Sequence, residues 1–215
     1  MIDLPTGEDA PMDGSTVLRT AGECARFLHS ISDRAWTTVP IPGLDWTVAQ
    51  VVAHIGECLL WYSTDLVAGD EELSTMDMSV RPESAPADLV ATLNSFATVL
   101  ARVIDGAPPQ VRGWHPHGLA DASGFAAMAC DEMLVHPADA AHGVGRAFVP
   151  SQELSHATLR RLFPWAPADT EPWTTLLWAN GRADLPGHER QVGWRWHCAP
   201  LAEWDGVNPI KRSLT

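Results

Sequence analysis

Lysine and tyrosine are almost missing from this chain: Lys211 and Tyr62 are the only ones in 215 residues. Bases are scarce in general, 14 against 27 acids, for a formal net charge of −13. A surface that reads duplex nucleic acid or an anionic membrane needs clustered Lys and Arg, so neither partner is expected. No apolar run approaches the roughly 18–20 residues of a membrane span. The opening Met1-Ile2-Asp3-Leu4-Pro5 lacks the basic region and apolar run of a secretory signal, so a cytoplasmic location is expected. The four cysteines, Cys24, Cys58, Cys130 and Cys198, show no CxxC or zinc-ribbon spacing and read as reduced thiols. What the chain does have is a globular composition, 46% hydrophobic and 19% charged, in a length that suits one core with a small appendage. Ten tryptophans and a strong bias of Arg over Lys complete the profile, the latter pointing to a GC-rich coding sequence.

Periodicity predicts mostly helix. Residues 1–14, acidic and rich in Pro and Gly, read as a loose arm. Val17, Leu18, Ala21, Ala25, Leu28, Ile31 and Ala35 recur at three- and four-residue steps and predict a helix over 15–36. Thr47-Val-Ala-Gln50 is a capping box that starts a second helix reaching Leu66. The polar stretch from Gly69 to Ala85 reads as a long loop or lid, the kind that often carries function. A third helix is expected from Pro86 through Ile104, and a fourth from Ala122 to His142, closed by Gly143. Four amphipathic helices with three connections predict a mainly α fold, a four-helix bundle over residues 15–150. Residues 151–215 are expected to form a small mixed segment on that bundle. Its parts would be two short helices, 154–163 and 173–179, and an alternating strand, 190–197.

The residues that suggest chemistry are His54 on the second helix and Glu132 with His136 on the fourth. Glu132 and His136, four apart, leave the same helical face. His54 sits at the flank of its helix's apolar stripe and so looks toward a neighbouring helix. Two imidazoles and a carboxylate suit Zn²⁺ or a similar divalent ion, with a fourth position open for water or substrate. The commoner uses of such residues, a salt-bridged Glu-x-x-x-His pair and a satisfied core histidine, stand beside that reading. His115 and His117 in a Gly/Pro-rich loop, and Arg81, Arg182 and Arg195, are candidates for substrate contact, the arginines by bidentate pairing with a carboxylate. Cys58 and Cys130 lie near the candidate ligands in sequence and otherwise read as buried thiols. Trp46 is expected to staple the entry to the second helix, and Trp61 to serve as core or pocket wall.

The segment from Ile41-Pro-Gly-Leu-Asp-Trp-Thr through Val-Ala-His54, with Asp131-Glu-Met-Leu-Val-His-Pro-Ala-Asp139 and Gly143 much later, resembles the DinB-like superfamily, and within it the mycothiol-dependent maleylpyruvate isomerase branch. The resemblance covers most of residues 15–148. It implies a four-helix bundle whose equivalents of His54, Glu132 and His136 share one divalent metal, commonly zinc. The low-molecular-weight thiol mycothiol would be cosubstrate. Metal coordination turns a thiol into a thiolate at neutral pH, able to add to a small electrophile. Isomerisation or S-transfer then follows, and the protein's own cysteines are not required. Asp139 matches the family's usual acidic residue and is expected either to hold His136 from behind or to bond an Arg or the backbone. Pro137, directly after the second histidine, departs from a simple copy and is expected to kink the helix there. Two other readings use the same residues: a non-catalytic metal- or small-ligand-binding bundle, and a metal-dependent hydrolase. The expected partners are a small electrophile and a thiol, with a homodimer possible.

Overall fold

The computed structural model describes residues 12–209. Four long helices carry the fold: α1 (Gly14–Ser30), α2 (Val48–Ala68), α3 (Pro86–Gly106) and α4 (Ala122–Gly143). Two shorter ones follow, α5 (Gln152–Leu162) and α6 (Pro172–Ala179). Each of α1 and α2 packs on both α3 and α4, so the order around the bundle is α1, α3, α2, α4. Helix α4 is buried on nearly every side, because α5 covers the face that the bundle leaves open, and α6 packs in turn on α5.

The helix starts follow local chemistry. Asp13 accepts from the Thr16 amide and caps α1, so the expected arm ends before it; residues 1–11 lie outside the described residues. Thr47 and Gln50 close the capping box on α2, with the Thr47 amide donating to Gln50 Oε1 at 2.8 Å. Asp121 accepts from the Gly124 amide at the start of α4.

Helix α1 stops six residues short of the expected end. The hydroxyls of Ser30 and Ser32 bond the carbonyls of Phe27 and His29, competing with the ladder in its last turn. The chain then turns so that buried Trp36 donates to the Ile31 carbonyl. Helix α3 is long and apolar enough to cross a membrane by length and composition, which counting unbroken apolar runs passes over. Here it buries Leu89, Leu93, Leu100 and Ile104 among the helices of the bundle.

The expected strand over 190–197 is absent, and no strand occurs among the described residues, only isolated bridges. The alternation reports which side chains point inward, Trp196 buried and Arg195 exposed, but no second strand lies beside the segment. It is held by side chains instead. Buried Arg161 of α5 bonds Ser123 Oγ and the Asp121 carboxylate at the start of α4, and the carbonyls of His197 and Cys198. Buried Asp131 of α4 accepts from Asn180 Nδ2 at 2.9 Å and from Trp196 Nε1 at 3.1 Å.

Candidate metal centre

Facing turns of α2 and α4 bring His54, Glu132 and His136 together. One ligand atom from each lies within 4.8 Å of the others. Glu132 Oε2 is 3.0 Å from His136 Nε2 and 3.8 Å from His54 Nε2. The other carboxylate oxygen, Oε1, accepts from the Tyr62 hydroxyl at 2.9 Å.

Behind the cluster, His136 Nδ1 meets Asp139 Oδ2 at 3.0 Å. The Arg182 guanidinium, from the turn after α6, grips the same carboxylate through Nε at 3.1 and 3.3 Å and Nη2 at 3.2 Å. The hydrogen-bond network therefore assigns Nδ1 of His136 as the donor to Asp139 and aims Nε2 at Glu132. Helix α4 runs on through Pro137, whose missing amide leaves the Met133 carbonyl without its helical donor; His136 keeps its contact with Glu132.

Electrostatics suit a cation in this place. Burial alone would raise the Glu132 pKa, but His136, His54 and the Tyr62 hydroxyl bring it down to about 2. Burial disfavours a charged His136, yet hydrogen bonds to Asp139 and Glu132 push it up to about 9. His54 is lowered, burial outweighing its attraction to Glu132. The protein alone thus holds a buried carboxylate against an imidazolium, and that proton stands where a divalent ion would replace it.

A cavity of about 710 Å³ opens beside the cluster. Its wall includes His54, Cys58, Trp61, Tyr62 and Asp65 of α2, Glu132 of α4, and Trp114, His115 and His117 from the loop before α4. Glu72, Leu73, Ser74 and Met76 of the loop after α2, Pro116 of the loop before α4 and Trp196 of the C-terminal segment complete it. Cys58 Sγ is 3.4 Å from His54 Nε2, and its thiol pKa is pushed well up by burial and by Glu132. The His115 ring packs on Tyr62, His117 and Trp196, and burial holds its pKa down at about 4.

Gly113 makes the wall possible, since a Cβ there would lie 2.7 Å from the Asp65 carbonyl, the Leu66 Cα and the Phe125 ring. The loop that follows is pinned by the Trp114 amide donating to the Gly69 carbonyl at 2.8 Å.

Several expected site residues lie elsewhere. Arg81 is exposed and Arg195 is exposed, and neither lines the cavity. Arg182 is engaged by Asp139, the carboxylate that also meets His136 Nδ1, and does not line the cavity. Cys130 points to the opposite side of α4, where Thr20 of α1 donates to it. Trp46, which precedes the Thr47 cap at the helix entry, sets its ring 4.9 Å from that of His54 and 6.5 Å from that of His136. Trp61 is pocket wall.

Sequence reasoning missed Tyr62, Asp65 and Asp131. The signal for Asp65 was present: at 100° per residue, His54, Cys58, Trp61 and Asp65 fall within about 60° of one another on α2. Asp131 gave none, because its partners Asn180 and Trp196 lie far along the chain.

A family profile described as the mycothiol maleylpyruvate isomerase N-terminal domain matches residues 17–141. No curated protein and no solved structure matches the chain.

Proposed function

We propose, for a chain that belongs to the mycothiol maleylpyruvate isomerase N-terminal domain family, that His54, Glu132 and His136 hold a divalent metal, zinc by its donor set, and that the protein activates a low-molecular-weight thiol for addition or transfer to a small electrophile. The observation that carries this reading is the convergence of three ligand atoms within 4.8 Å at the wall of a 710 Å³ cavity. Two imidazoles and one carboxylate are a set that binds zinc and leaves a position open.

A divalent ion so held supplies Lewis acidity that lowers the pKa of a coordinated thiol to neutral pH or below. The rest is the work of the chain. Asp139, braced by Arg182, orients His136 and fixes which nitrogen faces the site. Tyr62 holds Glu132 by its outer oxygen, so the inner one stays directed at the two histidines. Trp61, Trp114 and Trp196 wall the cavity with apolar surface, which displaces water and strengthens every charge interaction inside. Neutral His115 accepts from the His117 amide at Nδ1, at 3.1 Å, which leaves Nε2–H as its hydrogen-bond donor at the cavity wall.

The test uses zinc-loaded full-length protein with mycothiol and an electrophile panel including maleylpyruvate and monochlorobimane. Thiol consumption that falls with the metal content of His54→Ala and His136→Ala is the expected result. Metal content unchanged in both variants overturns the ligand assignment. Metal-loaded protein that neither binds nor consumes mycothiol overturns thiol activation and leaves the binding-protein and hydrolase readings.

A further inference from the structure

The cavity is longer than a metal site needs, and its far end is acidic. His54, Cys58, Trp61 and Asp65 form one stripe on α2, and eleven residues at 1.5 Å each separate its ends by about 16 Å along the axis. Asp65 is 8% exposed, and its carboxylate opens on the cavity. It accepts no hydrogen bond from the described residues, its only charged neighbour being Glu72, another acid. Burial and Glu72 raise its pKa to about 6, which still leaves it mostly ionised at neutral pH. The residue is buried while its carboxylate stays open on the cavity without a protein donor, so a donor on a bound ligand would be its first direct partner.

The remaining charges agree in sign. Beyond the Glu132 carboxylate, which faces His136 and His54, the charged residues lining the cavity are Asp65 and Glu72, and no Lys or Arg lines it. The arginines that sequence reasoning offered for a substrate carboxylate are exposed or engaged by Asp139. His115 is held neutral by burial.

We propose that the Asp65 end of the cavity binds a positively charged, hydrogen-bond-donating group, a protonated amine on a ligand whose reacting end lies at His54, Glu132 and His136. The inference rests on the reading of this cavity as the reaction site and narrows its substrate class. The ligand has an apolar body that lies along Trp61 and Trp114, and a cationic tail that Asp65 and Glu72 receive. A dicarboxylate finds no partner at this end, so the preferred substrate differs in charge from the maleylpyruvate of the family's name.

The test needs no thiol. Zinc-loaded full-length protein is titrated with 4-phenylbutylamine and with 4-phenylbutanoate, a pair alike in body and opposite in charge, and binding is followed by quenching of the cavity tryptophans. The amine is expected to bind about tenfold more tightly or better, as a hydrogen bond between charged groups implies. In Asp65→Asn the preference falls to about twofold or less, and in Glu72→Gln by a smaller factor, because Glu72 is exposed. Equal or tighter binding of the carboxylate to the wild type overturns the proposal, and that comparison requires no variant to fold. An unchanged ratio in Asp65→Asn, or no saturable binding of either probe, overturns it as well. Thiol activation is judged separately, by metal-dependent mycothiol consumption, so either reading can fail while the other stands.

Discussion

Replacing Asp139 by Ala isolates what the residues behind a ligand contribute to holding a metal. Asp139 touches no cavity surface; it accepts from His136 Nδ1 at 3.0 Å and is clamped by Arg182. Without it the His136 ring is free to rotate or to present the other tautomer, and Nε2 spends less time directed at Glu132. Loss of such a partner commonly weakens metal affinity by about 10- to 100-fold, or about 1.4–2.7 kcal/mol. That range matches the worth of one hydrogen bond to a charged group, about 1.5–3 kcal/mol. Competition for zinc against a chromophoric chelator at fixed pH measures it directly. Asp139→Asn keeps an acceptor and loses the charge, so its loss should be smaller, about 3- to 10-fold. Arg182→Met leaves the His136 contact in place. It should lower the thermal midpoint, because a mostly buried carboxylate loses its counter-charge, while zinc affinity stays within about threefold of wild type. An Asp139→Ala protein that is folded and binds zinc within about threefold of wild type refutes the reasoning. So does Arg182→Met losing as much affinity as Asp139→Ala.

Trp196→Phe removes the donor to one oxygen of buried Asp131 and should destabilise by about 1–3 kcal/mol, read by urea unfolding; no change would mean that the carboxylate finds another donor. Gly113→Ala forces a Cβ to 2.7 Å from backbone atoms of α2, so a loss of about 1–3 kcal/mol is expected in the same assay. It should also alter probe binding at the adjoining Asp65. Glu171 caps α6 by accepting from the Trp173 and Thr174 amides, and despite the opposing effect of burial these bonds and Gln152 bring its pKa down to about 2. Its contribution is therefore complete above the ordinary carboxylate value and lost as pH falls through about 2. Glu171→Ala should cost about 1 kcal/mol at neutral pH, and the gap from wild type should narrow in acid; a constant gap down to the lowest pH at which the protein folds would contradict this.

The long helices were legible because each carries its own evidence: a capping residue, a 3.6-residue stripe and a Gly or Pro near its end. The Glu132 and His136 pair was legible for the same reason, being local to one helix, and His54 was legible from its place beside the stripe. The end of α1 was not, because the hydroxyls of Ser30 and Ser32 compete with a ladder that the apolar spacing alone would continue. The strand over 190–197 failed differently. Alternation records which side chains face inward, and a strand also needs a neighbour, which no local pattern supplies. The arginines show the limit most plainly: whether Arg182 meets a substrate or Asp139 depends on an approach between residues 43 positions apart.

Helix α4 is gripped from beyond the boundary of the family match, which ends at residue 141. Arg161, Asn180, Arg182 and Trp196 all come from later in the chain, and they meet Asp121, Asp131 and Asp139 on or at the head of the helix that supplies two of the three candidate ligands. A chain cut at that boundary would keep every ligand, leave Asp139 with His136 and Asp121 with the Gly124 amide, and lose both Arg partners and both partners of Asp131 at once. Grafting the matched portion alone onto another scaffold would therefore transplant a pattern without its counter-charges. The unit that evolution can recombine and the unit that can stand by itself in water need not coincide here.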